Sequence, residues 1–477
     1  MSKPYLFDLK DRRILQIGYG AIGSAMSHLY IRHLNFKVGN IVIIDMKAST
    51  FQNEPSKITS KIKFLDLKIT RENFAQVYGE FLRPGDMLVD LAWYIDTLDQ
   101  LKWCRENGVL YINTAVEDWP EDACGFFDKS CQTLYTRQMQ IQDEVEKWGK
   151  SPTAILTHGA NPGWVSHATK IGMRDWANYL LSKDPENKTL QRSVQYCREE
   201  RFPEAAKLLN IQVIHISERD TQISKIPKQV GEFVNTWSPN GFIEEATAPA
   251  ELGWGTHETL KEGVHGYRKG PKNQVYFDKM GMNTLIRSWV PSGDMVGMIV
   301  RHEEAFSISK YLTIHNKEGK ATYRPTVHYV YWPSNDGFAS LYEHQAIGYK
   351  PITKERVFRD DVISGKDELG VFMLSPKYGG WWIGSLLDFQ TAKELLAPHS
   401  ATVIQVASSV MAAIVYAFVN PREGVIHPEE MAADVTMKLI LPYLGEFVSI
   451  PVDWQPPVMD PKYKSNKDWI IQKLLVQ

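Results

Sequence analysis

Short apolar runs alternate with helix-length amphipathic stretches through the first third of the chain. Residues 13–17, Ile41–Asp45, 61–65, 87–91, 109–113 and 153–157 each read as a short, buried strand. The spacing predicts helices over 21–34, 70–81, 96–107 and 129–148, with Pro84-Gly85 and Gly108 turning the chain between elements. Strand and helix taking turns in this way demand crossover connections, and therefore a mostly parallel sheet.

Beyond Pro162 the pattern changes. A charged, helix-like stretch covers 184–210. Strand-like segments then follow without regular helices, at 212–216, 232–237, 274–277, 297–301, 311–314 and 322–332. This reads as an α+β region with a largely antiparallel sheet. Ala401–Val419 runs for 19 residues without a charge, long enough for a membrane span. It carries Thr402, Gln405, Ser408 and Ser409, however, and Asn420-Pro421 stops it, so a buried core helix is expected. The fold class expected is α/β: a dinucleotide-binding (Rossmann) domain over 1–162, an inserted α+β substrate and dimerisation domain over 163–395, and C-terminal helices over 396–477 returning to the first domain.

Charge narrows the partners. Fifty-four Lys and Arg against 56 Asp and Glu leave a net charge of -2, so no basic excess points to nucleic acid or to an anionic membrane. Four cysteines without a CxxC pair suit neither a disulfide scaffold nor a metal site. Such cysteine usage fits a reducing, cytoplasmic location, and the first ten residues carry charges in place of a secretory apolar run.

Gly18-Tyr19-Gly20-Ala21-Ile22-Gly23 follows a strand and opens a helix, the context in which glycines admit a pyrophosphate to a helix N-terminus. The next strand ends in Asp45, where a carboxylate can accept from ribose hydroxyls and repel a 2′-phosphate. NAD is therefore expected over NADP, with Lys47 as the one nearby counter-signal. Residues beyond the carboxyl ends of parallel strands line the ligand crevice, which adds Thr114, Asn161 and Pro162 to the cofactor set and brings Glu117 beside it. On composition alone the loop from His158 to Gly163 reads first as an ordinary tight turn. In the second region, Ile216-Ser-Glu218-Arg-Asp-Thr-Gln222 and Asn235-Thr-Trp237 through Glu244-Glu245 combine acids with tryptophan. Such acids commonly sit on solvated faces and such a tryptophan in a core. The alternative is a site for a cation, since indole offers a cation–π face and carboxylates the counter-charge.

These stretches resemble the bacterial homospermidine synthase family. The resemblance is carried by HGANPGWVSH (158–167), ISERDTQ (216–222) and NTWSPNGFIEEATAPAELGWGTHE (235–258). It extends to the glycine fingerprint, Asp367-Glu-Leu-Gly and the C-terminal helix, so it spans nearly the whole chain. The family is similar in architecture to saccharopine and carboxynorspermidine dehydrogenases. The resemblance implies a homodimer making sym-homospermidine from two putrescines, or from spermidine and putrescine, with NAD as a recycled cofactor. An amine is oxidised to an imine, a second amine displaces the first, and the new imine is re-reduced. It further implies that Trp237 faces cationic intermediates, that Glu245 binds an ammonium group or acts as base, and that Glu218 is a further substrate carboxylate. Asp367 would be another substrate carboxylate, Asn161 a partner of the reacting amine, and Glu117 an acid beside the cofactor. His302 and Asp96 are carried over on less distinctive surroundings, and for His302 a satisfied core role competes. Two other readings stay open. A saccharopine-type reductase would need an arginine clamp for an α-carboxylate, for which Arg201, Arg219, Arg287 and Arg301 are available. A non-catalytic NAD-binding regulator would not need Trp237, Glu218, Glu245 and Asp367 together.

Overall fold

The computed structural model describes residues 6–46, 51–122, 131–464 and 467–476. Lys47 and the first residues of the stretch 129–148 lie outside them. The chain divides into two compact units. The first comprises the described residues of Met1–Gly125, Thr136–Trp164 and Ala392–Tyr443; the second those of Phe126–Tyr135, Val165–Thr391 and Leu444–Gln477.

In the first unit seven strands form one parallel sheet. Its order is Val425–Ile426, Ala154–Ile155, Leu110–Asn113, Met87–Asp90, Ile14–Ile17, Ile41–Asp45 and Lys63–Asp66. Strand Ile14–Ile17 has its sequence successors on one side and the later strands on the other. The order reverses beside it, which opens a ligand crevice at the carboxyl ends of the strands. These strands read as unbroken apolar runs because both faces are covered by helices. One cover is Ala401–Val419, which packs on the helix Ala21–His33 and on strand Leu110–Asn113. Its polar residues find work inside the protein: Ser400 caps the helix by accepting from Val403 N–H, and Ser409 Oγ meets His158 Nδ1 at 3.1 Å. At its far end, Arg12 donates to Phe418 O (3.3 Å) and lies over the Phe418 ring, covering the helix terminus.

The second unit is built on a ten-stranded sheet. Its main path runs Val264–Gly266, Gln274–Met280, Pro249–Gly253, Thr326–Trp332, Val213–Asp220, Lys366–Ser375, Gly379–Asp388 and Phe447–Val452. The hairpin Leu285–Val290 with Gly293–Met298 joins it on Thr326–Trp332. All pairings are antiparallel except that of Val213–Asp220 with Thr326–Trp332.

Three expectations need correction. The 184–210 stretch is two helices, Lys188–Arg198 and Phe202–Leu208. Glu200 takes a left-handed conformation (φ 56°) between them, and Pro203 opens the second. The region after Pro162 is not poor in helices: Trp164–Lys183, Pro239–Thr247, Glu303–Tyr311, Asn335–Ala346 and Phe389–Leu396 are all helical. Finally, 396–477 does not return as one piece. Residues from Leu444 onward belong to the second unit, because Phe447–Val452 hydrogen-bonds along Gly379–Asp388 and extends the large sheet.

Candidate active site

The nucleotide end is set by backbone geometry at the switch point of the parallel sheet. Gly18 sits at φ 97°, and a Cβ there would lie 2.5 Å from Leu91 O. A Cβ on Gly23 would collide with Gly18 O, whereas one on Gly20 would meet nothing within 4 Å. The loop is thus closed against the strands and open at Gly20, on the side where a diphosphate would lie. Among the described residues no side chain caps the helix Ala21–His33, and its own first turn carries no acid, which suits its N-terminus to an anion. Gln16, buried beneath, donates to Gly18 O (2.8 Å) and Gly23 O (3.2 Å) and ties the loop to the strand. Ala21 and Ile22 are half-buried at the same edge. Asp45 accepts from Tyr19 N–H at 2.6 Å, which fixes its carboxylate at the strand end. Beside Gly18 and Asp45 a cavity of about 270 Å³ is walled by Leu67, Thr70, Trp93, Tyr94 and Trp119. That is just under the roughly 300–1,000 Å³ of a full ligand pocket, a size suited to one half of a dinucleotide.

Two loops farther along this edge are held together by Asn113. Its Oδ1 accepts from Thr157 N–H (2.7 Å) and its Nδ2 donates to Ala115 O (2.6 Å). Thr114 and Glu117 are thereby placed on one loop, and Asn161 and Pro162 on the other. Gly163 is obligatory in that second loop: at φ 135°, its Cβ would collide with Gly159 O. The buried Glu117 is fixed through its backbone, which pairs with Thr97 N–H and Thr97 Oγ1 (both 3.0 Å). Asp96 has a structural task. It is the N-cap of Thr97–Asn107, accepting from Asp99 N–H at 2.7 Å, and burial raises its pKa to about 6.

The second unit gathers the remaining predicted residues on one face of its sheet. Alternation along Val213–Asp220 turns Glu218 and Asp220 to the same side. Antiparallel register sets Asp367 opposite Asp220, and parallel register sets Tyr331 opposite Glu218. All four are buried. Burial raises Glu218 to about 8, against the lowering effect of the 2.7 Å hydrogen bond from Tyr329 Oη; Asp220 adds to the rise. Asp220 rises to about 6 for the same reason, although it accepts from Thr236 Oγ1 (2.5 Å) and Gln222 N–H (2.9 Å).

Trp237 follows strand Glu232–Asn235 and is half-buried, unlike the fully enclosed Trp164, Trp176 and Trp382. Its indole N–H donates to Tyr331 Oη at 3.0 Å. The helix Pro239–Thr247, capped by Ser238, carries Glu245, whose side chain keeps 23% of its exposure. His302 faces Glu245 Oε2 through Nε2 (3.0 Å) and Glu304 Oε1 through Nδ1 (3.1 Å). Two nitrogens donating to two carboxylates require the imidazolium. Burial alone would lower its pKa, but Glu304 and Glu245 hold it well above the ordinary value. His302 is therefore a fixed cation that orients Glu245, and it is unsuited to act as a base at neutral pH. The sequence reading missed Glu304, Asp220, Tyr329 and Tyr331. Only the i+2 spacing of Asp220 from Glu218 in a strand-like run could have signalled any of them.

Comparisons with known proteins agree along the chain. Residues 14–155 match the saccharopine dehydrogenase NADP binding domain, and 159–450 the saccharopine dehydrogenase C-terminal domain. The homospermidine synthase of Mesorhizobium japonicum is 34% identical, over 97% of this chain and 96% of its own length. The chain belongs to the homospermidine synthase family. A second homospermidine synthase, from Blastochloris viridis, is 33% identical over 98% of each chain. The crystal structure of the homospermidine synthase from Legionella pneumophila in complex with NAD superposes with a TM-score of 0.86 at 31% identity, covering all of both chains. Membership in the homospermidine synthase family accounts for both the parallel nucleotide sheet and the larger, mostly antiparallel one.

Proposed function

We propose that this chain is an NAD-dependent homospermidine synthase, transferring an aminobutyl group from putrescine or spermidine to putrescine. The observation that carries the reading is the buried acidic face of Glu218, Asp220 and Asp367, with Trp237 half-open nearby. Each candidate arginine is engaged elsewhere. Arg219 alternates onto the opposite face of the sheet, where it lies over Trp332. Arg301 is bound by Glu244 and Gln132 O, Arg287 donates to Leu475 O, and Arg201 pairs with Glu204. An α-carboxylate has no clamp here, whereas ammonium groups have several counter-charges. This disfavours the saccharopine-type reductase.

The residues at the switch point fit a dinucleotide: Gly18, Gly20 and Gly23 would admit its diphosphate, and Asp45 its ribose. When bound, NAD supplies a hydride acceptor for an amine-bearing carbon and returns the hydride to the joined product. The chain's own residues must handle protons and charge. Glu218, its proton affinity raised by burial, exchanges a proton with an amine more readily than an ordinary carboxyl would. Glu245, held by His302, offers a fixed carboxylate to an ammonium group. Trp237 presents a π-face to a cationic intermediate.

The test is incubation of the purified protein with putrescine and NAD. Mass spectrometry should find homospermidine and ammonia; a product formed only from a 2-oxo acid, an amino acid and NADH would refute the reading. A cytoplasmic homodimer belongs to the same proposal, supported for the dimer by the family resemblance and for the location by four sparse cysteines that suit a reducing compartment. Light scattering and cell fractionation check it.

A further inference from the structure

We propose that Tyr329 is a positioning residue that sets the orientation and proton affinity of Glu218; this rests on the synthase reading above. Tyr329 occupies the one parallel neighbour of the acidic strand. Its register partner is Ile216, yet its hydroxyl donates to Glu218 Oε2 at 2.7 Å, so the phenol leans one strand repeat along the sheet. The same ring lies against the imidazolium of His302, with centroids 4.1 Å apart and planes at 31°. One buried phenol thus touches both the acid poised for proton exchange and the cation that holds Glu245. Tyr331, stacked beside it at 5.3 Å, is committed differently: its oxygen accepts from the Trp237 indole, which can only donate.

The charged and titratable groups facing Glu218 come from every element packed around it. They include Asp220 on its own strand, Tyr329 and Tyr331 on the parallel neighbour, Glu245 on the helix Pro239–Thr247 and His302 just before Glu303–Tyr311, with Asp367 opposite Asp220 on the antiparallel neighbour. Among these, Tyr329 supplies the hydrogen bond that favours ionised Glu218. Burial beside Glu218 keeps the phenol itself protonated, and so a donor.

Tyr329→Phe removes that donor and keeps the ring on His302. A hydrogen bond to a charged group corresponds to about one to two pH units. The limb of the kcat/KM–pH profile that vanishes in Glu218→Gln should move upward by about that amount, with the opposite limb in place. Tyr331→Phe should leave this limb where it is. Site-specific 3-fluorotyrosine at position 329, a stronger donor, should move it downward and covers the case in which Tyr329→Phe folds poorly. Difference infrared titration of the Glu218 carboxyl, assigned by its loss in Glu218→Gln, reads the same shift without turnover. A wild-type protein that makes no homospermidine would refute the functional reading while leaving the infrared result to judge Tyr329. An unmoved Glu218 titration in both Tyr329 variants, or an equal shift in Tyr331→Phe, would overturn the inference.

Discussion

Replacing Trp237 separates a synthase site from a packed core. The ring is half-buried, makes one hydrogen bond to Tyr331 Oη and touches Phe242 at 5.9 Å between centroids. A fully buried aromatic truncated to alanine costs about 3–5 kcal/mol. With part of its surface already in solvent and one neutral hydrogen bond worth about 1 kcal/mol, Trp237→Ala should cost about 2 kcal/mol of stability. Its effect on rate should be larger in kind. A desolvated cation–π contact contributes roughly 2 kcal/mol or more, equivalent to about thirtyfold in turnover. Trp237→Phe keeps a π-face and should retain most of that. Neither change should alter NAD affinity, because the glycine loop belongs to the other unit. Turnover, melting temperature and NAD titration on both variants decide the matter. A Trp237→Ala protein that keeps wild-type turnover while melting far lower would show that the ring is structural and that the cationic-site argument is wrong.

Other expectations follow from named groups. Asp45→Ser should weaken NAD by about tenfold, through loss of a charged hydrogen-bond acceptor, and narrow its advantage over NADP; calorimetric titration with both cofactors checks it. Asp90 is buried, its pKa raised to about 6 mainly by desolvation despite hydrogen bonds from Gln100 and Tyr111. Since its folded pKa exceeds its unfolded one, its stability contribution is full below about pH 4 and is lost as pH rises towards 6. Asp90→Asn should therefore gain melting temperature relative to wild type between pH 4 and pH 7, and a constant difference would contradict the assignment. Ala401–Val419, buried within the first unit, should leave the protein in the supernatant after ultracentrifugation without detergent; recovery with membranes would contradict that.

The parallel sheet was legible because its signals are local: short apolar runs, turn glycines and helix-length spacing. Asp45 and the glycine loop could be placed for the same reason. The helix Trp164–Lys183 escaped because it is covered on most sides, so its apolar residues lose the one-faced period that marks a helix. Glu218 and Trp237 stood out as charge and indole in unusual company. Tyr329 and Tyr331 did not, since alternate tyrosines in Thr326–Trp332 look like core. What makes them functional candidates is a parallel pairing with Val213–Asp220, a contact that spans more than a hundred residues of sequence and leaves no local trace. Asp96 shows the converse: its match to the family pattern was readable, while its capping of a helix was the closer physical explanation.

In an NAD-recycling synthase, hydride leaves an amine-bearing carbon and comes back to the product. Putrescine deuterated at both amine-bearing carbons, supplied with NAD far below stoichiometry, tests this directly. Hydride recycling should give many turnovers per NAD, homospermidine that has lost no deuterium by mass spectrometry, and no growing absorbance from reduced cofactor. Product limited to the NAD supplied, or reduced cofactor accumulating in step with it, would contradict it.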